Sequence, residues 1–244
     1  LFITAPIISL GASLILIVLI ISQDGFGGNG MRRILMEVRP DGGVNAAHLH
    51  QEQFCRTGVL TGSDFTIKPP ALFQPVAIAS SRWARFTSGS GAKGNFNLQP
   101  SEGKLHASGD WFQSRSEHGH VLSAVISTRG RIEKTDSPGS YLSTFEFPID
   151  TLLYQDEARQ WHRADGITAG KRFTLAPVDA TMALPVLNGE MNAFAERNRQ
   201  FLKSAITRPG HFIAITSQAP GIDTNPGIKW KETHSVITGP VVAP

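Results

Sequence analysis

Hydrophobic positions along this chain fall into three patterns. The first is continuous. From Leu1 to Ser22, LFITAPIISLGASLILIVLIIS, no residue is charged, Leu14 to Ile21 are all Leu, Ile or Val, and only Thr4, Ser9 and Ser13 are polar before Ser22. As a helix this run spans about 33 Å, enough to cross a bilayer core. A helix in the core of a globular domain keeps a polar stripe toward water, so lipid is the better solvent for one that is apolar all round. A cleaved signal peptide has a shorter apolar region behind a basic segment, and Ile21-Ser22-Gln23-Asp24 is a poor cleavage site. The expectation is a retained transmembrane helix over 1–22, with Gly11 and Ser13 offering a small face to a neighbouring helix. Position 1 is not Met, and the chain reads as a piece of a longer protein with further membrane helices.

The second pattern is a series of short apolar runs separated by turn clusters, beginning after a glycine-rich linker over 23–30, QDGFGGNG. A phosphate-cradling loop needs a strand before it and a helix after it, and here the order is reversed. Strands are expected at Ile34–Val38, within Val44–Thr57, at Pro75–Ala79 and at Arg82–Phe86, with Pro40-Asp41-Gly42-Gly43 as a turn and Thr87–Gly94 as a loop. Lys104 to Trp111 alternates cleanly, with Leu105, Ala107, Gly109 and Trp111 on one face. Val121–Ser127 is nearly continuous in apolar character, which predicts a strand buried on both faces. Gly130–Lys134 and Tyr141–Phe147 flank Asp136-Ser137-Pro138-Gly139 as a hairpin, and Ile149–Tyr154, Gln160–Arg163, Lys171–Leu175, His211–Thr216 and Ser235–Val242 continue the series.

The third pattern has helical spacing. From Asn188 to Ile206 apolar residues recur at Met191, Phe194, Ala195, Phe201, Leu202, Ala205 and Ile206, opposite Glu196, Arg197, Arg199 and Lys203. Asn188 is the predicted N-cap and Arg208-Pro209-Gly210 the stop. Together these patterns predict a mainly β, sandwich-like fold over 31–244, as one domain or two small β modules, with one late amphipathic helix and a transmembrane helix in front.

Composition sharpens this only a little. Gly and Pro contribute 24 and 15 of 244 residues, above the usual combined share of about 12%, which favours turns over long helices. The formal charge of +3 is modest and its carriers are scattered; nucleic-acid binding needs a basic stripe that is absent here. A single cysteine, Cys55, excludes an internal disulfide and a cysteine-based zinc cluster; one basic neighbour, Arg56, does not make it reactive, and it reads as structural.

Candidate chemistry is sparse. His48-x-His50 and His118-x-His120 each place two imidazoles on one side of a strand, as some zinc sites do, with Glu52 and Glu117 nearby. No third ligand stands at an established spacing, so no metal and no cofactor is expected. Serine-hydrolase, Walker, Rossmann and zincin motifs are missing, and no catalytic residue is assigned. Asp156-Glu157 reads as a hairpin tip. Asp110, Trp111, Phe112 and Arg115 close a clean strand and form the candidate binding platform for a sugar or peptide; in the competing reading the two rings cap the core. Lys229-Trp230-Lys231 reads as an exposed Trp able to anchor at headgroups if it lies near a membrane.

The order SLGASLILIVLIISQDGFGGNG, RTGVLTGSDFT, GDWFQSR, TRGRIE, RPGHFIAI and IKWKETHSVITGPVV resembles a family of large bacterial inner-membrane proteins that carry extracytoplasmic β-rich domains between membrane helices. The resemblance covers nearly the whole chain. It implies an inner-membrane location with the domain in the periplasm, and it implies no reaction. Residues 23–31 carry one acid and no base, and a domain of this length crosses a membrane largely regardless of its charge. The resulting expectation is a structural or interaction module without catalysis of its own. Its partners are the lipid bilayer, other membrane helices of the same longer chain and proteins of the envelope, with no nucleic acid. A membrane-anchored envelope hydrolase or metal-dependent enzyme, and a sugar- or peptide-binding module, are the alternatives.

Overall fold

A computed structural model describes residues 4–41, 44–60, 62, 64–68, 70–76 and 94–243. The strand expected at Arg82–Phe86, the end of the one expected at Pro75–Ala79 and most of the loop Thr87–Gly94 lie outside them. In chain order the elements are α1 (Thr4–Asp24), β1 (Gly28–Asp41), β2 (Val44–Thr57), β3 (Phe65–Ile67), β4 (Leu72–Val76), β5 (Phe96–Ser101), β6 (Lys104–Gly109), β7 (Glu117–Thr128) and β8 (Ile132–Lys134). They continue with β9 (Ser140–Ser143), β10 (Ile149–Gln155), β11 (Trp161–Ile167), β12 (Arg172–Thr174), β13 (Ala176–Val178), α2 (Ala180–Ala193), α3 (Glu196–Ile206), β14 (His211–Thr216) and β15 (Ile228–Val242). The fold is mainly β.

A large mixed sheet runs β13-β11-β10-β14-β15-β1-β2-β7-β4. Its pairings are antiparallel except at the centre, where β1 lies parallel to β15. One face packs on α2 and α3 through Leu35, Leu153, Trp161, Ile213 and Val236 from the sheet, Leu187 and Leu202 from the helices and Phe194 between them. On the other face two small groups share one buried cluster with the sheet. β3-β6-β5 contributes Phe65, Ile67 and Ala107, and the β8-β9-β12 group, joined to the end of β15, contributes Ile132. The loop after β14 adds Ala219 and Ile222 to the same cluster. Residues of both sheets therefore belong to one buried cluster.

Most of the expected strands are found, with two instructive differences. β7 is not buried on both faces: Leu122 and Ala124 are inside, but Val125 is 62% exposed, because the helices do not reach that far along the sheet. The single helix expected from Asn188 is two. α2 begins at Ala180, carries Pro185 inside it, and contains Asn188, which caps nothing; the chain then breaks at Phe194-Ala195 before α3.

The break is imposed from the sheet. Glu52 of β2, only 3% exposed, accepts the Ala195 N–H on both carboxylate oxygens at 3.1 Å and the Asn198 amide at 2.6 Å. A carboxylate thus caps the start of α3, where the helix dipole favours negative charge. Arg33 of β1 donates to the Ala193 carbonyl that ends α2, and Arg199 donates to the Phe194 carbonyl at 3.3 Å. Burial pushes the Glu52 carboxyl up, opposed by these hydrogen bonds and by the charges of Arg33 and Arg199.

α1 stands apart. Its described side chains are those of residues 6–19, a stretch of about 21 Å, and among the described residues no helix is long and apolar enough to cross a membrane. None of those side chains is buried, and the large ones, Ile7, Ile8, Leu10 and Leu14–Leu19, are 51–71% exposed.

Candidate functional site

The linker expected over 23–30 is neither long nor free. α1 continues to Asp24 and β1 begins at Gly28, leaving three residues to turn the chain. Gly25 and Gly27 do so with φ of +68° and +81°, a region that suits glycine. Their backbone is then laced to the domain. Gly27 donates to Val59 O at 2.9 Å, Gly58 to Gly27 O at 2.7 Å, Val59 to Gly25 O at 2.9 Å, and Gly28 to Gly227 O at 2.9 Å. A second layer holds the receiving loops. Arg115 N–H donates to Gly58 O at 2.9 Å and Leu60 N–H to the Ser114 hydroxyl at 3.0 Å. The Thr57 hydroxyl bridges to the carbonyls of Gln113 and Ser116. Asn225 accepts from Gly227 N–H at 2.8 Å. Four stretches singled out in the sequence, QDGFGGNG, RTGVLTG, GDWFQSR and the start of IKWKETH, therefore meet at one end of the sheet.

This seat is tight. A Cβ on Gly27 would lie 2.5 Å from the Gly227 carbonyl oxygen, whereas one on Gly25 meets nothing within 4 Å. Gly25→Ala is expected to cost only the left-handed backbone, about 1–2 kcal/mol. Gly27→Ala carries that cost and the clash, so its urea midpoint should fall further. Equal midpoints for the two variants would show that the junction is slack.

The candidate binding platform is not at the surface. Trp111 and Phe112 are 2% and 3% exposed. Trp111 stacks on Phe73 at 4.3 Å and tilts against Phe96 at 4.9 Å, with its indole N–H donated to Asn97 O at 3.1 Å. Phe112 meets Phe65 edge-on at 5.2 Å. These rings join the small sheet β3-β6-β5 to the large one, so the core-capping alternative is what the fold adopts. Asp110 accepts the Asn95 N–H at 2.8 Å, and that bond, followed by one from Gln113, holds its carboxyl below the usual range. Arg115 sits at φ +61° in the turn just described. Trp230 is half-buried, opposite Gly30, with Arg32 over its ring at 5.8 Å, and so is no exposed anchor.

The two histidine pairs do not converge. The β2–β7 register sets His50 opposite Ser123 and Gln53 opposite His120, so even-numbered residues of β2 share a face with odd-numbered residues of β7. His48 and His50 thus lie on the helix-covered face, and His118 and His120 lie on the opposite one. His50 bonds the Ser123 hydroxyl at 2.9 Å and tilts against Phe201 at 6.1 Å. His118 accepts the Gln113 N–H at 3.0 Å. His120 donates from Nε2 to Trp111 O at 2.9 Å and faces the Gln53 amide nitrogen at 3.3 Å through Nδ1. Among the described residues no group of three or more His, Cys, Asp or Glu side chains could hold a metal ion. Cys55 is fully buried, and burial pushes its thiol up to about 12.

Sequence patterns missed a buried polar chain beside these residues. Gln51 pairs with the backbone of Ile222 through both ends of its amide, at 2.8 Å each, and donates to Gln53 at 3.0 Å; Gln53 then leads to His120. This chain seats the loop between β14 and β15. At the opposite end of the sheet from α1, a groove of about 880 Å³ is floored by Met36, Ile126, Phe145 and Phe147, with Arg129 and Glu146 also lining it. It presents apolar surface and two opposite charges, a setting for binding.

No protein-family model matches the chain, and no curated protein matches it. Among solved structures the chain is similar to a yeast delta-COP-I mu-homology domain complexed with a Dsl1 WxWxV peptide, with 8% identity and a TM-score of 0.31 over 89% of this chain and 98% of that one. So slight a likeness carries no argument.

Proposed function

We propose that this chain is a membrane-tethered interaction module of the bacterial envelope, with α1 as its bilayer anchor, the β domain outside the cytoplasm and no catalysis of its own. One observation carries the reading. α1 offers water an apolar surface: nine of its described large side chains, from Ile7 to Leu19, are 51–71% exposed. At about 1.5–3 kcal/mol for each such side chain, removing them from water is worth on the order of 10 kcal/mol. Its full length of 21 residues corresponds to about 32 Å, matching a hydrocarbon core. The polar Ser13 hydroxyl is satisfied inside the helix by Ser9 O at 2.9 Å, as lipid requires. The outward placement is supported by the resemblance to inner-membrane proteins; Arg32, Arg33 and Arg39 follow the helix within 15 residues, but a domain of this length crosses a membrane largely regardless of its charges.

The full chain is expected to stay with membranes through alkaline carbonate and to leave them only in detergent. Leu14→Arg with Ile17→Arg should release it, since each arginine costs about 2.5–3.5 kcal/mol at a helix centre. Recovery of the unaltered chain from the aqueous fraction would overturn the anchor. Orientation is read separately by an impermeant maleimide on a cysteine placed at Ser137, an exposed turn residue. Labelling from the periplasmic side is expected, and labelling only after the inner membrane is broken would reverse the orientation.

A further inference from the structure

The junction fixes more than a connection. Phe26 lies two residues beyond the end of α1, a reach of about 7 Å at full extension. The interfacial layer on each side of a bilayer core is itself roughly 5–8 Å deep. With α1 spanning the core, that reach is comparable to the depth of the layer, which places Phe26 in it or at its rim, and Phe26 is 67% exposed. Phe26 bridges to Val59, and the hydrogen bonds from Gly25 and Gly27 to loop 57–60 carry half-buried Val59 and Leu60 to the same level.

Just behind this apolar tip the strands present charge. Arg56 and Lys229 stand opposite Asn29 on its two neighbouring strands, and Glu117 stands opposite Arg56; all three charged side chains are exposed. Adjacent strands are about 4.8 Å apart, so exposed side chains of both signs stand on neighbouring strands at this rim, a mixture compatible with a zwitterionic headgroup layer.

We infer that this end of the sheet, tipped by Phe26, Val59 and Leu60, rests in the headgroup layer of the bilayer that holds α1, so the domain is docked on lipid and does not swing from a hinge. The inference rests on the anchor reading above. The partner is the lipid surface itself, because no other surface is guaranteed within reach of Phe26.

The full chain, reconstituted in phosphatidylcholine nanodiscs, tests it by spin labels on single added cysteines. Native Cys55 can remain, being fully buried. A label at Leu60 is expected to be several-fold less accessible to a water-soluble nickel chelate than one at Ser137, and more accessible to oxygen. A label in place of Phe26 should report the same depth, which covers any disturbance caused by Leu60→Cys. If the labels at Leu60 and Phe26 are as open to nickel as Ser137 while one at Ile15 stays lipid-like, the docking is wrong and the anchor stands. If Ile15 is also open to nickel, the anchor has failed and the docking with it.

Discussion

Trp111→Ala is expected to lower the stability of the β domain by about 3–5 kcal/mol, the range for deleting a large buried aromatic. The loss has three sources. The indole is nearly inaccessible to water, it packs on Phe73 and Phe96 from two different sheets, and its N–H satisfies the Asn97 carbonyl. Truncation leaves a cavity where rings of β3-β6-β5 meet rings of the large sheet, and it removes the indole hydrogen bond to the Asn97 carbonyl. The urea midpoint in detergent should fall sharply with an unchanged slope. A loss below about 1 kcal/mol would return Trp111 to the surface and restore it as a ligand platform.

Acid is the second large lever, and it acts through His120. Burial, then the neighbouring His118, lowers its pKa from the usual 6.5 to about 3, against the bond to Trp111 O. The native ring is therefore neutral, with its proton on Nε2 and its Nδ1 facing the Gln53 amide; a second proton would set donor against donor. Between pH 6.5 and about 3 the unfolded chain holds a proton at this residue and the folded chain does not. Stability then falls as pH falls, by about 1.4 kcal/mol per unit for one proton. His50 and His118, each lowered chiefly by burial, act in the same direction. Urea midpoints from pH 7 to 4 should show this decline, and His120→Gln should remove one proton's share of the slope. An unchanged slope in the variant would mean that the ring already titrates normally in the fold.

Much of the strand pattern was legible because alternation is a local property. The face shared by Leu105 and Ala107 in β6 needs only a period of two, whereas the run expected to continue to Trp111 ends at Gly109, where φ is +100°. What the chain could not declare locally was which residue of one strand lies opposite which residue of another. His48, His50, His118 and His120 look like a potential ligand set until the register pairs even positions with odd ones and parts them across a sheet. Val121–Ser127 reads as doubly buried because apolar content says nothing of where a covering helix stops. The two-helix break at Phe194-Ala195 is similar: the local sequence continues helical spacing, and the decision is made by Glu52 and Arg33, some 140 and 160 residues away. The junction was misread for a related reason. Four glycines suggest a loose tether when taken alone, but Gly27, Gly28 and Gly30 let backbone approach backbone, and Gly25 supplies a left-handed turn. Trp111 and Phe112 were rightly marked as unusual, since aromatic pairs dominate cores and interfaces alike, and only burial tells the two apart.

The parallel pairing of β1 with β15 sets a timetable for biosynthesis. Gly28 meets Ile228, so the middle of the sheet cannot close until some 200 further residues have been made. At about 5–20 residues per second that is on the order of 10–40 seconds, whereas the β1–β2 hairpin can form in microseconds. Throughout that interval one edge of β1 is an open template for a strand of another nascent chain. Arg32, Arg33, Glu37 and Arg39 lie along it, and charged side chains are what deter such pairing. In the finished fold they bind Asp223, the end of α2 and one another; before that, they guard an unpaired strand while the ribosome is still at work.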